Sequence, residues 1–266
     1  MKRIYDETVN NCRLMIGEVG GGYRGVIWKD GKQHFTQEAR DLEVLKATLR
    51  NEAGRFHPDY FGIDGAKARF REFFPKGFSD SDYKRKERDY KDKAREALTK
   101  AAPFEVALEA DADIASACKK GTRTNLLSRF EAARLNEVLD SADGPAFIRA
   151  SAAFTRSPDQ AGLLAMEKAI APHGRASWPL VTYFPYMWDP MQHMFLKPNA
   201  TVDFASRTGK LFASAYDPAL DIGIYDALLD LAAETEGEIG DMHPVDRIDL
   251  QSFIWVVGSY TDEDLP

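Results

Sequence analysis

Residues 178–198 read WPLVTYFPYMWDPMQHMFLKP, and the class of this protein turns on how that stretch is understood. Trp178, Tyr183, Phe184, Tyr186, Trp188 and Phe195 crowd together with Met187, Met191 and Met194, and Asp189, His193 and Lys197 stand between them. Prolines at 179, 185, 190 and 198 deny the stretch one long regular helix, because an interior proline removes a backbone donor and clashes with the preceding turn. Short helical pieces joined by bends are expected. Two roles suit such a segment. It can be the aromatic crossing through the core of a helical domain, where buried rings pack on one another. It can also be the wall of a pocket that stacks a flat ligand.

Working outward, the periodicity on both sides is helical. Toward the C-terminus, 199–208 predicts a short helix closed by Gly209, 211–216 a lone strand, and 221–236 a helix with Ile224, Leu228 and Leu231 on one face. VDRIDLQSFIWVV at 245–257 is almost wholly apolar and predicts a buried final helix. Toward the N-terminus, helices are expected over 36–50 (capped by Thr36), 64–74, 79–101 (capped by Ser79 or Asp80), 103–117, from Thr124 or Asn125 to about 139, 145–154 and 158–170. The 79–101 segment carries many i,i+4 charge pairs and few apolar residues, which predicts a largely exposed helix. Before residue 36 the pattern changes. CRLMIGEV, GGG, YRGVIWK, DG and KQHF alternate apolar runs with turn signals, so a small antiparallel meander is expected. Gly20, Gly22 and Gly25 fit GxGxxG, but a strand pattern follows them where a dinucleotide site requires a helix. The fold class is therefore mainly α: a β-rich lobe over 1–36 and a helical body over 37–266.

The composition, 44% hydrophobic and 29% charged over 266 residues, is ordinary for a soluble globular protein. No run of eighteen apolar residues predicts a membrane span, and the first residues lack the apolar core of a signal peptide. Cys12 and Cys118, far apart and outside any CxxC spacing, suit a reducing cytoplasm and exclude a zinc knuckle. The net charge of −7 argues against a general nucleic-acid binder, yet it is unevenly spread. Residues 217–266 hold thirteen acids and one base, whereas 84–100 hold eight bases against four acids and 119–134 five bases against Glu131. The basic segments read either as solvated helix faces or as a surface for a polyanion.

Several chemistries are excluded by missing motifs. The five histidines show no metal-ligand spacing, and neither GxSxG nor GxxxxGK[ST] occurs, so no metal, hydrolase elbow or NTPase loop is expected. The final helix is more informative. Asp246, Asp249, Gln251 and Ser252 interrupt a sequence that should be buried, and a buried carboxylate costs several kcal/mol unless it is paired. Asp246 suits the N-cap, which leaves Asp249 and Gln251 open between a paired structural role and a functional one.

The phrases FFPKGFSDSDY, ERDYKDKA, TNLLSRFEAARL, WPLVTYFPYM with HMFLKP, and RIDLQSFIWVV together resemble a family of bacterial hypothetical proteins associated with phage-defence loci and with DNA glycosylases that excise modified bases. The matching phrases run from about residue 73 to 257, and the GVG turn of a helix-hairpin-helix is absent from the chain. The resemblance implies hydrolysis of an N-glycosidic bond in modified double-stranded DNA; no cofactor is expected, and the two unpaired cysteines point to the cytoplasm. A glycosylase needs stacking surface and edge contacts for a flipped base, and a carboxylate or amine for cleavage. The expected catalytic residues are Asp249, Asp189 or Lys197. Trp178, Tyr183, Tyr186, Trp188 and Phe195 would give the pocket its rings, and Gln192, His193, Asn199 and Gln251 its polar edges. Lys119, Lys120, Arg123, Asn125, Lys84 and Arg85 would hold the DNA backbone, with a helix start at Asn125 offering free N–H groups. A non-catalytic defence component binding nucleic acid or protein, and a metal-dependent nuclease built on Asp246 and Asp249, are the competing expectations.

Overall fold

Four consecutive strands open the chain: β1 (Arg3–Val9), β2 (Cys12–Val19), β3 (Gly22–Lys29) and β4 (Lys32–Ala39) form one antiparallel sheet in the order β1-β2-β3-β4. This is seen in a computed structural model that describes residues 2–57 and 59–265. The turns between strands use positive φ at Asn10, Asn11, Asp30 and Gly31, the residue types that tolerate it. The meander is thus one strand longer at its start than expected. β4 also runs past residue 36, so Thr36 lies in a strand and donates its hydroxyl to the Gly25 carbonyl. The helix that follows is Leu42–Gly54, and Asp41 caps it by accepting from the amides of Glu43 and Val44.

The chain divides into two compact units, Met1–Arg69 with Val202–Tyr216, and Phe70–Thr201 with Asp217–Pro266. In the first unit, Leu14, Ile16 and Ile27 of the sheet pack with Leu45, Leu49 and Ala53 of the helix into one apolar core. The division drawn at residue 36 falls inside β4, because the sheet has no core without that helix. Residues 211–216, expected as a strand, contain the helical turn Phe212–Ala215 instead. Phe212 is the buried residue there, and Ala213 and Ala215 after it are too small to carry a strand's alternation.

The second unit is helical. The 81–101 helix begins at Ser81 with Asp80 as N-cap, and its first turns widen into a π-helix at Lys84–Arg88 before α-geometry resumes at Asp89–Ala101. Residues 103–117 split into Phe104–Ala107 and Ala112–Ala117, because Asp111 starts a new helix by capping Ile114. Cys118–Gly121 is a 3-10 turn, and no helix begins at Thr124 or Asn125. Ser128 instead caps Arg129–Asp140 in a reciprocal capping box with Glu131. Ser128→Ala is expected to cost about 1 kcal/mol, read from the urea midpoint. Gly144–Arg156, Gln160–Ile170 and Trp178–Trp188 follow, then Pro198–Thr208, Ile222–Glu238 and Arg247–Ser259.

The aromatic stretch resolves into pieces, as its prolines require. Trp178–Trp188 is one helix with Pro179 in the first turn and Pro185 inside, and 189–197 crosses as non-helical chain. Every residue of Trp178–Trp188 is buried, so the helix forms the centre of the second unit. Phe184 meets Phe147 and Trp188, and Tyr183 meets Phe195. No helix among the described residues is long and apolar enough to cross a membrane.

Candidate functional site

The π-turn at Lys84–Arg88 sets the chemistry of the second unit. A π-turn inserts one residue into the helical register, and such bulges recur at functional sites. Here it brings Tyr83, Glu87, Arg88 and Lys91 against the polar residues of Arg247–Ser259, and two linked clusters result.

In the first cluster, the Arg88 guanidinium donates from Nη1 and Nη2 to Asp246 (2.7 and 2.9 Å), from Nη1 to Asp249 (2.9 Å), and from Nε to Asp92 (2.9 Å). Asp249 is almost fully buried, and it also accepts from the Tyr83 hydroxyl and from the Val245 amide (2.8 Å). Tyr83 is wedged among Phe70, Phe74 and Phe78, which fixes where its hydroxyl points. Burial and the adjacent Asp249 charge push the Tyr83 phenol well above its ordinary range, so it remains a donor. Burial opposes the charge on Arg88, but Asp246, Asp92 and Asp249 more than compensate and raise its pKa. Asp246 takes the capping role expected of it. Asp249 accepts three hydrogen bonds, from Tyr83 and Arg88 on Oδ1 and from the Val245 amide on Oδ2, and so it holds this cluster together.

In the second cluster, Lys91 is completely buried and donates to Gln251 Oε1 (2.7 Å), Ser252 Oγ (2.8 Å) and Glu87 Oε2 (3.3 Å). Burial lowers its pKa, and the Glu87 carboxylate beside it works in the opposite direction. Glu87 accepts a second bond on Oε1 from the Tyr260 hydroxyl at 2.7 Å. This cluster opens onto a cavity of about 290 Å³. Tyr90, Trp255, Tyr260 and Phe195 give it rings, Asn125 and Gln251 give it side-chain amides, and Lys86, Lys91 and Lys197 stand with Glu87 as its titratable groups. Lys197 is bonded to Glu131 at 2.8 Å, the same carboxylate that closes the capping box of Arg129–Asp140.

Phe195 and Gln251, expected from sequence for the base pocket, therefore line one cavity with Lys197, expected for cleavage, and Asn125, expected for the DNA backbone. The others are dispersed. Trp178, Tyr183 and Tyr186 are core residues: the Trp178 indole donates to the Asp217 carbonyl, and the Tyr183 hydroxyl donates to the Gly121 carbonyl and pairs with Thr124. They cannot stack a ligand without the core opening. Trp188, Asp189, Gln192 and His193 border a different cavity of about 560 Å³. There Asp189 accepts from the Met191 amide, and Trp188 donates to the Ala102 carbonyl. Asn199 is exposed. Of the basic set, Lys119 pairs with Asp140 and Arg85 with Asp82, while Lys120 and Arg123 are exposed. Lys84 lines a third cavity beside the first cluster. The phosphate-binding helix start at Asn125 does not exist, since that helix begins four residues later.

His193 is pinned between the Thr155 carbonyl (2.8 Å from Nε2) and the Tyr225 hydroxyl (2.7 Å from Nδ1). In the neutral ring, Nε2–H donates to the carbonyl and Nδ1 accepts from the Tyr225 hydroxyl, which satisfies both nitrogens. Burial lowers its pKa below 6.5, despite the favourable Thr155 carbonyl. The unfolded chain then binds the proton more readily than the folded one. This contribution to stability is complete above the unfolded value and falls as pH drops through 6.5 toward the folded pKa. The slope it adds is expected to reach at most about 1.4 kcal/mol per pH unit. His193→Gln should flatten that slope in denaturation curves taken between pH 7 and 5.

Glu87, Arg88 and Lys91 were not singled out in the sequence, where they sit in an ordinary run of alternating charge. The only local signal was the i,i+4 spacing of Glu87 and Lys91, which exposed pairs share. No group of histidine, cysteine or carboxylate side chains among the described residues could hold a metal ion. The chain matches no family model, no curated protein and no solved structure.

Proposed function

We propose that the 290 Å³ cavity receives a nucleobase turned out of DNA, and that the protein hydrolyses the N-glycosidic bond of that nucleotide. The observation that carries this reading is the meeting of rings, side-chain amides and one carboxylate in a space of nucleobase size. Tyr90, Trp255 and Tyr260 supply the stacking surface. Gln251 gives its oxygen to Lys91, which leaves its amide N–H groups for an acceptor on the base edge, and Asn125 offers both a donor and an acceptor. Lys86 and Lys197 supply positive charge to a phosphate beside the flipped sugar.

Glu87 takes the role that Asp249 was expected to hold. Each Glu87 oxygen accepts one hydrogen bond, from Tyr260 or Lys91, and retains a lone pair for a water. In the reaction, the bond between base and sugar breaks as water adds to the sugar carbon. Glu87 accepts the water proton and later releases it to solvent, and the base departs with the bonding electron pair and takes a proton from solvent. The modified base and the foreign origin of the DNA follow from the sequence resemblance alone.

The test is incubation of modified and unmodified phage DNA with the protein, followed by alkali. Strand breaks that appear only after alkali, with free base released, support the reading. Glu87→Gln should then lower excision at least about a hundredfold with the circular dichroism spectrum retained. Direct breaks that require magnesium would instead indicate a nuclease. Binding without base release from a broad panel of modified DNAs would favour the non-catalytic binding component.

A further inference from the structure

Beside the Arg88 cluster, on the Tyr83 side of the π-turn, lies a cavity of about 550 Å³ that the excision chemistry does not use. Its apolar surface comes from Pro75, Phe78 and Met242, the last two buried. Its charged lining is Arg71, Lys76, Lys84 and Arg88 against Asp241 and Asp249, an excess of two positive charges. Arg88 is committed to Asp246 and Asp249, so the available cations are the three exposed ones. Arg71 reaches Asp241 only at 3.9 Å, with both side chains about half exposed. Lys76 and Lys84 form no salt bridge among the described residues.

We infer that this cavity is a binding site for a small phosphorylated molecule with a flat or apolar body. A guanidinium fork and two ammonium groups match a dianionic phosphate better than a single carboxylate, which would leave two of the three cations unanswered. The buried carboxylate of Asp249 makes the inner wall unfavourable for an anion, so the phosphate sits at the mouth with Arg71, Lys76 and Lys84. The body of the ligand then lies inward on Phe78, Pro75 and Met242. The volume falls in the range of pockets that enclose ligands of mononucleotide size. A free nucleotide and the 5′-phosphorylated end of a nucleic acid both present this chemistry. The inference does not depend on base excision, since it uses none of the residues of the 290 Å³ cavity.

The experiment is calorimetric titration of the full chain at low salt with adenosine 5′-monophosphate, adenosine, and a 5′-phosphorylated hexanucleotide. Adenosine is expected to bind at least tenfold more weakly than its monophosphate. Lys76→Glu and Lys84→Glu, both at exposed positions, should each weaken the monophosphate at least tenfold without shifting the melting temperature. Lys93→Glu, an exposed charge reversal further along the same helix and outside the cavity, should change it less than twofold. A hexanucleotide that binds more tightly than the monophosphate supports the site and assigns it to nucleic-acid ends; one that binds more weakly supports it and assigns it to free small molecules. No binding of the monophosphate, equal binding of adenosine, or an equal loss with Lys93→Glu would overturn the inference.

Discussion

Arg88→Met is expected to destabilise the protein by about 3–5 kcal/mol, the cost of breaking a buried ion pair from one side. The Arg88 side chain is 15% exposed, and it faces Asp246 and Asp249, whose side chains are 8% and 3% exposed. Removing the guanidinium leaves two buried carboxylates facing each other. They lack any other cation within salt-bridge distance among the described residues. Asp249 keeps the Tyr83 hydroxyl and the Val245 amide, and Asp246 keeps the Ile248 amide, so both retain partial satisfaction. Urea denaturation of Arg88→Met should show the loss as a lower midpoint at unchanged slope. Adding Asp249→Asn should recover part of it, because one of the two charges is then gone. Tyr83→Phe removes one hydrogen bond and leaves the ion pairs, so its cost is expected to stay near 1–3 kcal/mol. A loss in Arg88→Met no larger than in Tyr83→Phe would show that the carboxylates find other partners or protons.

Lys91→Met is the second large effect, also about 3–5 kcal/mol. Lys91 is wholly buried and its three donors meet three acceptors, so its removal strands Glu87 Oε2, Gln251 Oε1 and Ser252 Oγ together. Methionine fills nearly the same volume, which keeps the cavity contribution small and isolates the electrostatic one. The Glu87→Gln, Lys91→Met pair should be more stable than Lys91→Met alone, because the unpaired charge has been removed from both sides. A double-mutant cycle from denaturant midpoints reads that coupling directly. The two clusters belong to one helix and one facing helix, yet they put different demands on function. The Arg88 cluster can be judged by stability alone, whereas in the Glu87 cluster stability and base excision have to be measured on the same variants.

Tyr186 adds a related point. Its hydroxyl is fully buried and makes no hydrogen bond among the described residues, although Asp246, Arg88 and Asp249 lie close enough to affect its ionisation. A buried donor without a partner costs roughly 1–3 kcal/mol, so Tyr186→Phe should be neutral or stabilising. The melting temperature decides it.

How much of this was legible in sequence depended on the range of the interaction. Asp41, Asp80, Asp221 and Asp246 cap helices, and they do so through bonds to amides two or three residues away. The hairpin turns are equally local, since Asn10, Asn11, Asp30 and Gly31 need only adopt positive φ. The expected start at Thr36 failed for the same local reason read at the wrong place. Threonine suits both a cap and a strand, and pairing with β3 decided between them. The proline positions in 178–198 correctly broke the stretch into pieces.

What the sequence by itself determined was therefore the class, the caps at Asp80 and Asp246, three of the four strands of the meander, and the burial of the Arg247–Ser259 helix. Its twelve or so consecutive residues have too few polar positions to face water. What only the tertiary structure decided was the fate of charge. KRKERDYKDKAREALTK gives the same i,i+4 pattern whether a pair lies in solvent or in the core. Glu87 and Lys91 are buried because Gln251, Ser252 and Tyr260, distant in the chain, supply their remaining partners, and the π-turn turns them to that side. In the same way, nothing in the spacing of the aromatic stretch separates Trp178 and Tyr183, which complete the core, from Phe195, which reaches a cavity wall. Burial is a sum over contacts from many segments, and no one segment contains it.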